Sequence, residues 1–169
     1  MGCIGRCGPA IEPIVESRGH LLAVSSLAAT MAFPLAVAYG ASKSGVDSLM
    51  RGLRAELLHT GATAGAAYFG YIDTAMMERA RAEPAIEHMF RRFPVWMRRP
   101  HAPEAAARAI ADGIERRKAR VWLPRMVGMS LLLRGFLHVL DDRFARRLDV
   151  AGAVRIAEAE SRERHPVGR

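Results

Sequence analysis

Apolar positions along this 169-residue chain switch repeatedly between helical and strand-like spacing. Ile4, Ile11, Ile14 and Val15 recur at helical intervals over 3–17, interrupted by Pro9 and Pro13. HLLAVS (20–25) is a short apolar run after Gly19, the pattern of a strand buried on both faces. From 37 to 58 a helical stripe of Val46, Leu49, Met50, Leu53 and Leu57 faces Asp47, Arg51, Arg54 and Glu56 on the other side, and Gly61 closes it. ATAGAAYFG (62–70) predicts a second strand, weakly patterned because it is rich in alanine and glycine. Residues 75–92 carry helical spacing around Pro84, and 93–103 read as an irregular, proline-punctuated connection with exposed apolar groups. Pro103 opens a helix whose stripe is Ala106, Ala107, Ile110 and Ile114. ARVWLP (119–124) predicts a third strand, and 125–140 an amphipathic helix.

Strands alternating with helices imply an α/β fold: a partial doubly wound, Rossmann-like parallel sheet of about three strands with flanking helices. Residues 1–148 form the domain in this reading. Residues 149–169, ending in SRERHPVGR, form a tail that is helical or partly disordered.

Composition narrows the functional classes. Half of the residues are hydrophobic and a quarter charged, and no apolar run reaches the roughly 20 residues of a membrane span. The start, MGCIGRCGPAIEP, lacks the basic and apolar regions of a secretory signal, so a cytoplasmic location is expected. Cys3 and Cys7 lack further cysteines or histidines at ligand spacing, so no metal site is expected and they read as small apolar residues. The net charge of +8 comes with no nucleic-acid-binding signature, and no nucleic acid partner is expected. His20 and His59 read as surface or capping residues.

The charge inventory has one chemical consequence. The chain has 23 arginines and only two lysines, Lys43 and Lys118, so a lysine at a given position calls for a reason. Tyr39 and Lys43 are four apart at a helix start and share a face. An ammonium beside a phenol favours the phenolate, which suits the pair to proton transfer near neutral pH. Ser26 follows the first strand, at the edge where open parallel sheets bind ligands, and can hold a substrate oxygen.

GHLLAVSSLAA, AYGASKSGVDSLMRGLRAEL and GYIDT together resemble the short-chain dehydrogenase/reductase family from about Gly2 to Arg125. The resemblance implies hydride transfer between NAD or NADP and a carbonyl or alcohol. By that likeness Ser26 orients the substrate oxygen, Tyr39 is the general acid/base, and Lys43 tunes it and holds the nicotinamide ribose. Ile72 and Thr74 match positions at the nicotinamide end, and 75–100 matches a substrate lid. Phe69-Gly70 replaces the family's usual Pro-Gly. The family's glycine-rich phosphate turn and Asn-Asn-Ala-Gly stretch have no counterpart in the sequence, so the likeness is to a truncated, C-terminal portion of such an enzyme. It implies a small carbonyl or alcohol substrate of apolar character and homo-oligomers formed through 3–17 and 37–58. Two alternatives stand beside it: a non-catalytic remnant or interaction module of the same fold, and a peripheral protein touching a membrane surface through 125–147.

Overall fold

A computed structural model describes residues 8–137 and 141–164. Cys3 and Cys7, the first turns of the 3–17 segment, 138–140 and 165–169 lie outside the described residues. The chain runs α1 (Gly8–Glu16), β1 (His20–Val24), a 3-10 turn (Leu27–Ala29), α2 (Val37–Glu56), a second 3-10 turn (Leu57–His59) and β2 (Thr63–Phe69). It continues through α3 (Ala75–Ala82), α4 (Pro84–Phe90), α5 (Val95–Arg98), α6 (Pro103–Glu115), β3 (Arg120–Leu123), α7 (Arg125–Leu137), α8 (Asp141–Arg147) and α9 (Val150–Arg164).

The three strands form a parallel sheet in the order β1-β2-β3, the Rossmann-like arrangement expected. Register pairs Leu22 with Gly65 and Val24 with Ala67, then Ala67 with Val121 and Phe69 with Leu123. Alternation sends Ala64, Ala66 and Tyr68 to the face covered by α2, and Ala67 and Phe69 to the face covered by α6. The small residues that blur the pattern of β2 are what let it be the central strand. A Cβ on Gly65 would collide with the Lys118 carbonyl oxygen, so the chain entering β3 lies directly against it. Gly113 on α6 sits in the same way against the Val121 side chain.

The strand β1 departs from the expectation of burial on both faces. Its residues are half-buried and Val24 is 47% exposed, because β2 is its single strand neighbour among the described residues. The α2 stripe is also rotated from the one expected. Met50, Leu53 and Leu57 enter the core, but Leu49 is 46% exposed and Asp47 only 4%. Tyr68 and Arg134 supply hydrogen bonds that let a carboxylate occupy the inner face.

Residues 93–103 are more ordered than a loop. They contain α5, and of the four large apolar side chains Phe93 and Met97 are buried, Trp96 is half-buried and Val95 is exposed. On α6 the expected stripe shifts: Ala106 and Gly113 are buried, whereas Ala107 and Ile114 face outward. Helix α9 packs against α4, burying Gly152 and Ala153, and His88 Nε2 meets Asp149 Oδ2 at 2.9 Å across that contact. His20 is neither a surface nor a capping residue. Its Nδ1 lies 2.8 Å from Thr63 Oγ1, and burial, then Arg54 and Arg117, pull its pKa below the ordinary value.

Candidate active site

The carboxyl ends of β1 and β2 lie side by side, and the chemistry-bearing residues cluster there. Ser25 and Ser26, adjacent in sequence, do different things. Ser25 is buried; its backbone N–H donates to Ala67 O at 2.7 Å and its Oγ donates to Lys43 O at 2.9 Å. It is a clasp between sheet and helix. Ser26 has extended backbone and N-caps the 3-10 turn, its Oγ accepting from the Ala28 N–H at 3.2 Å. A hydroxyl that accepts from the backbone keeps its own proton to donate elsewhere.

Helix α2 comes close to that turn because Gly40 faces it: a Cβ there would sit 3.4 Å from Ala28 O. Tyr39, 39% exposed, therefore opens into the same cavity as Ser26. Lys43 lies one turn further on, with Nζ 5.6 Å from the Tyr39 ring centroid and donating to Val24 O at 3.1 Å. Since Ser25 Oγ also holds the Lys43 carbonyl, β1 and α2 are fastened at both ends of this one residue. The ammonium has three donors, and Val24 uses one.

Ile72 and Thr74 follow β2 at the same edge of the sheet. Ile72 forms a parallel bridge with His101, reinforced by His101 N–H to Tyr71 O at 3.0 Å and Asp73 N–H to His101 O at 2.9 Å. Thr74 N-caps α3, its Oγ1 accepting from the Met77 N–H at 3.4 Å. Neither lines the cavity that Ser26 and Tyr39 share; Thr74 instead starts the helix that brings Met76 and Met77 to it. The fourth wall comes from Met89, Phe90 and Phe93, which the sequence did not single out. Their apolar type at helical spacing was visible, but which face they line depends on the docking of α4.

A buried charge cluster supports α2 from below. The Tyr68 hydroxyl donates to Asp47 Oδ1, and Arg134 donates to Oδ2 at 2.6 Å. Burial alone would raise the Asp47 pKa; the bonds from Tyr68 and Arg134 outweigh it and hold the carboxyl below its ordinary range. Burial and the bond to Asp47 push the Tyr68 hydroxyl up, so it stays a donor. The position of Asp47, four residues after Lys43, was the signal available in the sequence.

Residues 5–85 match the short chain dehydrogenase family. The protein named ketoacyl reductase 1 of the granaticin polyketide synthase, from Streptomyces violaceoruber, is 37% identical over 68 residues, which cover 40% of this chain and 25% of that protein. The crystal structure of acetoin dehydrogenase from Enterobacter cloacae superposes with a TM-score of 0.50 at 21% identity, covering 66% of this chain and 45% of the other, a likeness of fold. The chain thus spans a quarter of the first relative's length and under half of the second's. With the parallel sheet and the placement of GYIDT after its central strand, these matches make residues 5–85 similar to the short chain dehydrogenase family and give the chain a fold of the same kind.

Proposed function

We propose that this segment carries the proton-transfer and substrate-binding part of an NAD(P)-dependent oxidoreductase that interconverts a carbonyl and an alcohol. The observation that carries it is the shared cavity: Ser26 and Tyr39 line one apolar space, with Lys43 tethered beside the phenol ring. In the reduction direction Ser26 donates a hydrogen bond to the substrate oxygen and Tyr39 delivers the proton that turns it into a hydroxyl. Lys43 holds positive charge beside the phenol as that proton leaves.

The bound dinucleotide supplies the hydride. Residues suited to its nicotinamide end are Tyr39, the two unused N–H groups of Lys43, and Ile72 and Thr74 at the end of β2. The sequence contains no Thr-Gly-x-x-x-Gly-x-Gly turn, so these 169 residues offer no pyrophosphate cradle of that type, and this reading assigns them the nicotinamide end alone. Self-association through α1 and α2 accompanies this reading, supported by the exposed Val37 and Leu49 on α2.

The reaction class is tested by isotope transfer. A simple ketone is incubated with reduced nicotinamide dinucleotide deuterated at C4, using this chain and any longer product of the same gene. The expected product is the alcohol carrying deuterium on the carbinol carbon; absence of label in the alcohol with both proteins overturns the reading.

A further inference from the structure

Fourteen residues line the cavity in front of Tyr39, a space of about 270 Å³, and none of them is charged. Ser26 and Tyr39 are the two lining residues with polar side chains, and the other lining side chains are hydrocarbon, ring or thioether. One side is rigid: Phe90 meets Phe93 edge-on at 5.9 Å, and Phe93 meets Phe33 at 5.6 Å. The opposite side, Met76 and Met77 with Met89, is unbranched and able to adapt.

The charged groups nearest this space lie outside its lining. Arg81 lies 4.7 Å over the Phe90 ring, donates to Glu87 at 3.0 Å and reaches the Tyr71 hydroxyl at 3.2 Å. Glu87 is held below the ordinary carboxylate range by its bonds to Arg81 and Arg91. Lys43 is anchored to Val24 O. A carboxylate or phosphate on the substrate would therefore enter hydrocarbon with no counter-charge, which is strongly disfavoured.

From this lining we infer that the site selects a compact, uncharged ketone or secondary alcohol whose oxygen is its one polar group in the cavity. An apolar cavity of roughly 150 Å³ accepts benzene, so 270 Å³ suits a skeleton of about ten carbons, such as a fused bicycle. The oxygen is fixed between Ser26 and Tyr39 and the skeleton lies between the phenylalanine and methionine walls. Acids, and acyl groups on a long polar thioester arm, are excluded. The assignment of the oxygen's position rests on the oxidoreductase reading; the preference for an uncharged skeleton rests on the lining.

The test is a binding titration on the full chain labelled with [13C-methyl]methionine, using 1-tetralone, its ring-carboxylated derivative and acetoacetyl-N-acetylcysteamine. Saturable shifts of Met76, Met77 and Met89 are expected with 1-tetralone, while the exposed Met126 and Met129 on α7 stay unmoved as internal controls. The carboxylated compound and the thioester should bind at least about tenfold more weakly. Ala80→Leu and Ala80→Phe, which fill the cavity from α3, should weaken 1-tetralone binding progressively with an unchanged circular dichroism spectrum. Equal or tighter binding of the carboxylated compound or the thioester, or no saturable shift with 1-tetralone in the folded protein, overturns the inference. Ketone binding without deuterium transfer would count against the oxidoreductase reading and leave this one standing. Deuterium transfer confined to acidic or thioester substrates would do the reverse.

Discussion

Replacing Asp47 by alanine removes the acceptor that the fully buried Tyr68 hydroxyl and the Arg134 guanidinium share. The stranded hydroxyl costs about 1–3 kcal/mol. Arg134, with 31% of its side chain exposed, can turn to water, so its lost pairing adds at most about 1 kcal/mol. Alanine recovers about 0.5 kcal/mol as the better helix former, giving a net loss near 2 kcal/mol. Tyr68→Phe leaves Asp47 with Arg134 and should cost about 1.5 kcal/mol, the usual loss for a hydrogen bond to a charged group. The double variant has no buried group left unpaired, so it should cost about 1.5 kcal/mol less than the sum of the two. Urea denaturation at neutral pH, with equal m-values, measures all three. Additivity within about 0.5 kcal/mol would refute the claim that one shared bond couples α2 to β2. The carboxyl's lowered pKa fixes the pH dependence. Its contribution is complete above the unfolded value of about 3.9 and is lost as pH falls through the lower folded value. The stability gap between wild type and Asp47→Ala should be constant from about pH 5 to 8 and shrink below about pH 4.

The adjacent serines should separate in the same assays. Ser25→Ala, which opens the clasp to Lys43, should lower stability by about 1 kcal/mol, whereas Ser26→Ala should lower turnover far more than Ser25→Ala does. A turnover loss confined to Ser25→Ala would exchange their roles. Gly65→Ala should be among the most damaging single-methyl changes in the protein, destabilising by about 3 kcal/mol because the new Cβ meets a backbone carbonyl that cannot rotate away; a neutral result by thermal unfolding would contradict the close approach of β2 and the segment entering β3.

How far the sequence disclosed this arrangement varied with the kind of information required. Elements set by local signals were readable: β1 by its apolar run, α2 by its periodicity, and the start of α6 by Pro103. Ser26, Tyr39 and Lys43 could be singled out by residue type and by their spacing over a strand, a turn and a helix, and the structure gathers them at one edge of the sheet. Facts set by distant partners were not. The inward turn of Asp47 depends on Tyr68, 21 positions on, and Arg134, 87 positions on. The strength of β2 was hidden because its alanines and glycine serve close packing, which leaves no hydrophobic alternation to detect. Likewise Ser25 and Ser26 are indistinguishable as letters; the register of β1 against β2 and the docking of α2 give one to the fold and the other to the cavity.

The proton-transfer role of Tyr39 is the centre of this account, and turnover of Tyr39→Phe tests it most directly. Ketone reduction is followed through loss of reduced-nicotinamide absorbance, with this chain or a longer product of its gene, and with methionine-methyl shifts confirming that the variant still binds ketone. A fall of about a hundred- to ten-thousandfold is expected, with ketone binding intact. A folded Tyr39→Phe variant that turns over at the wild-type rate would contradict it.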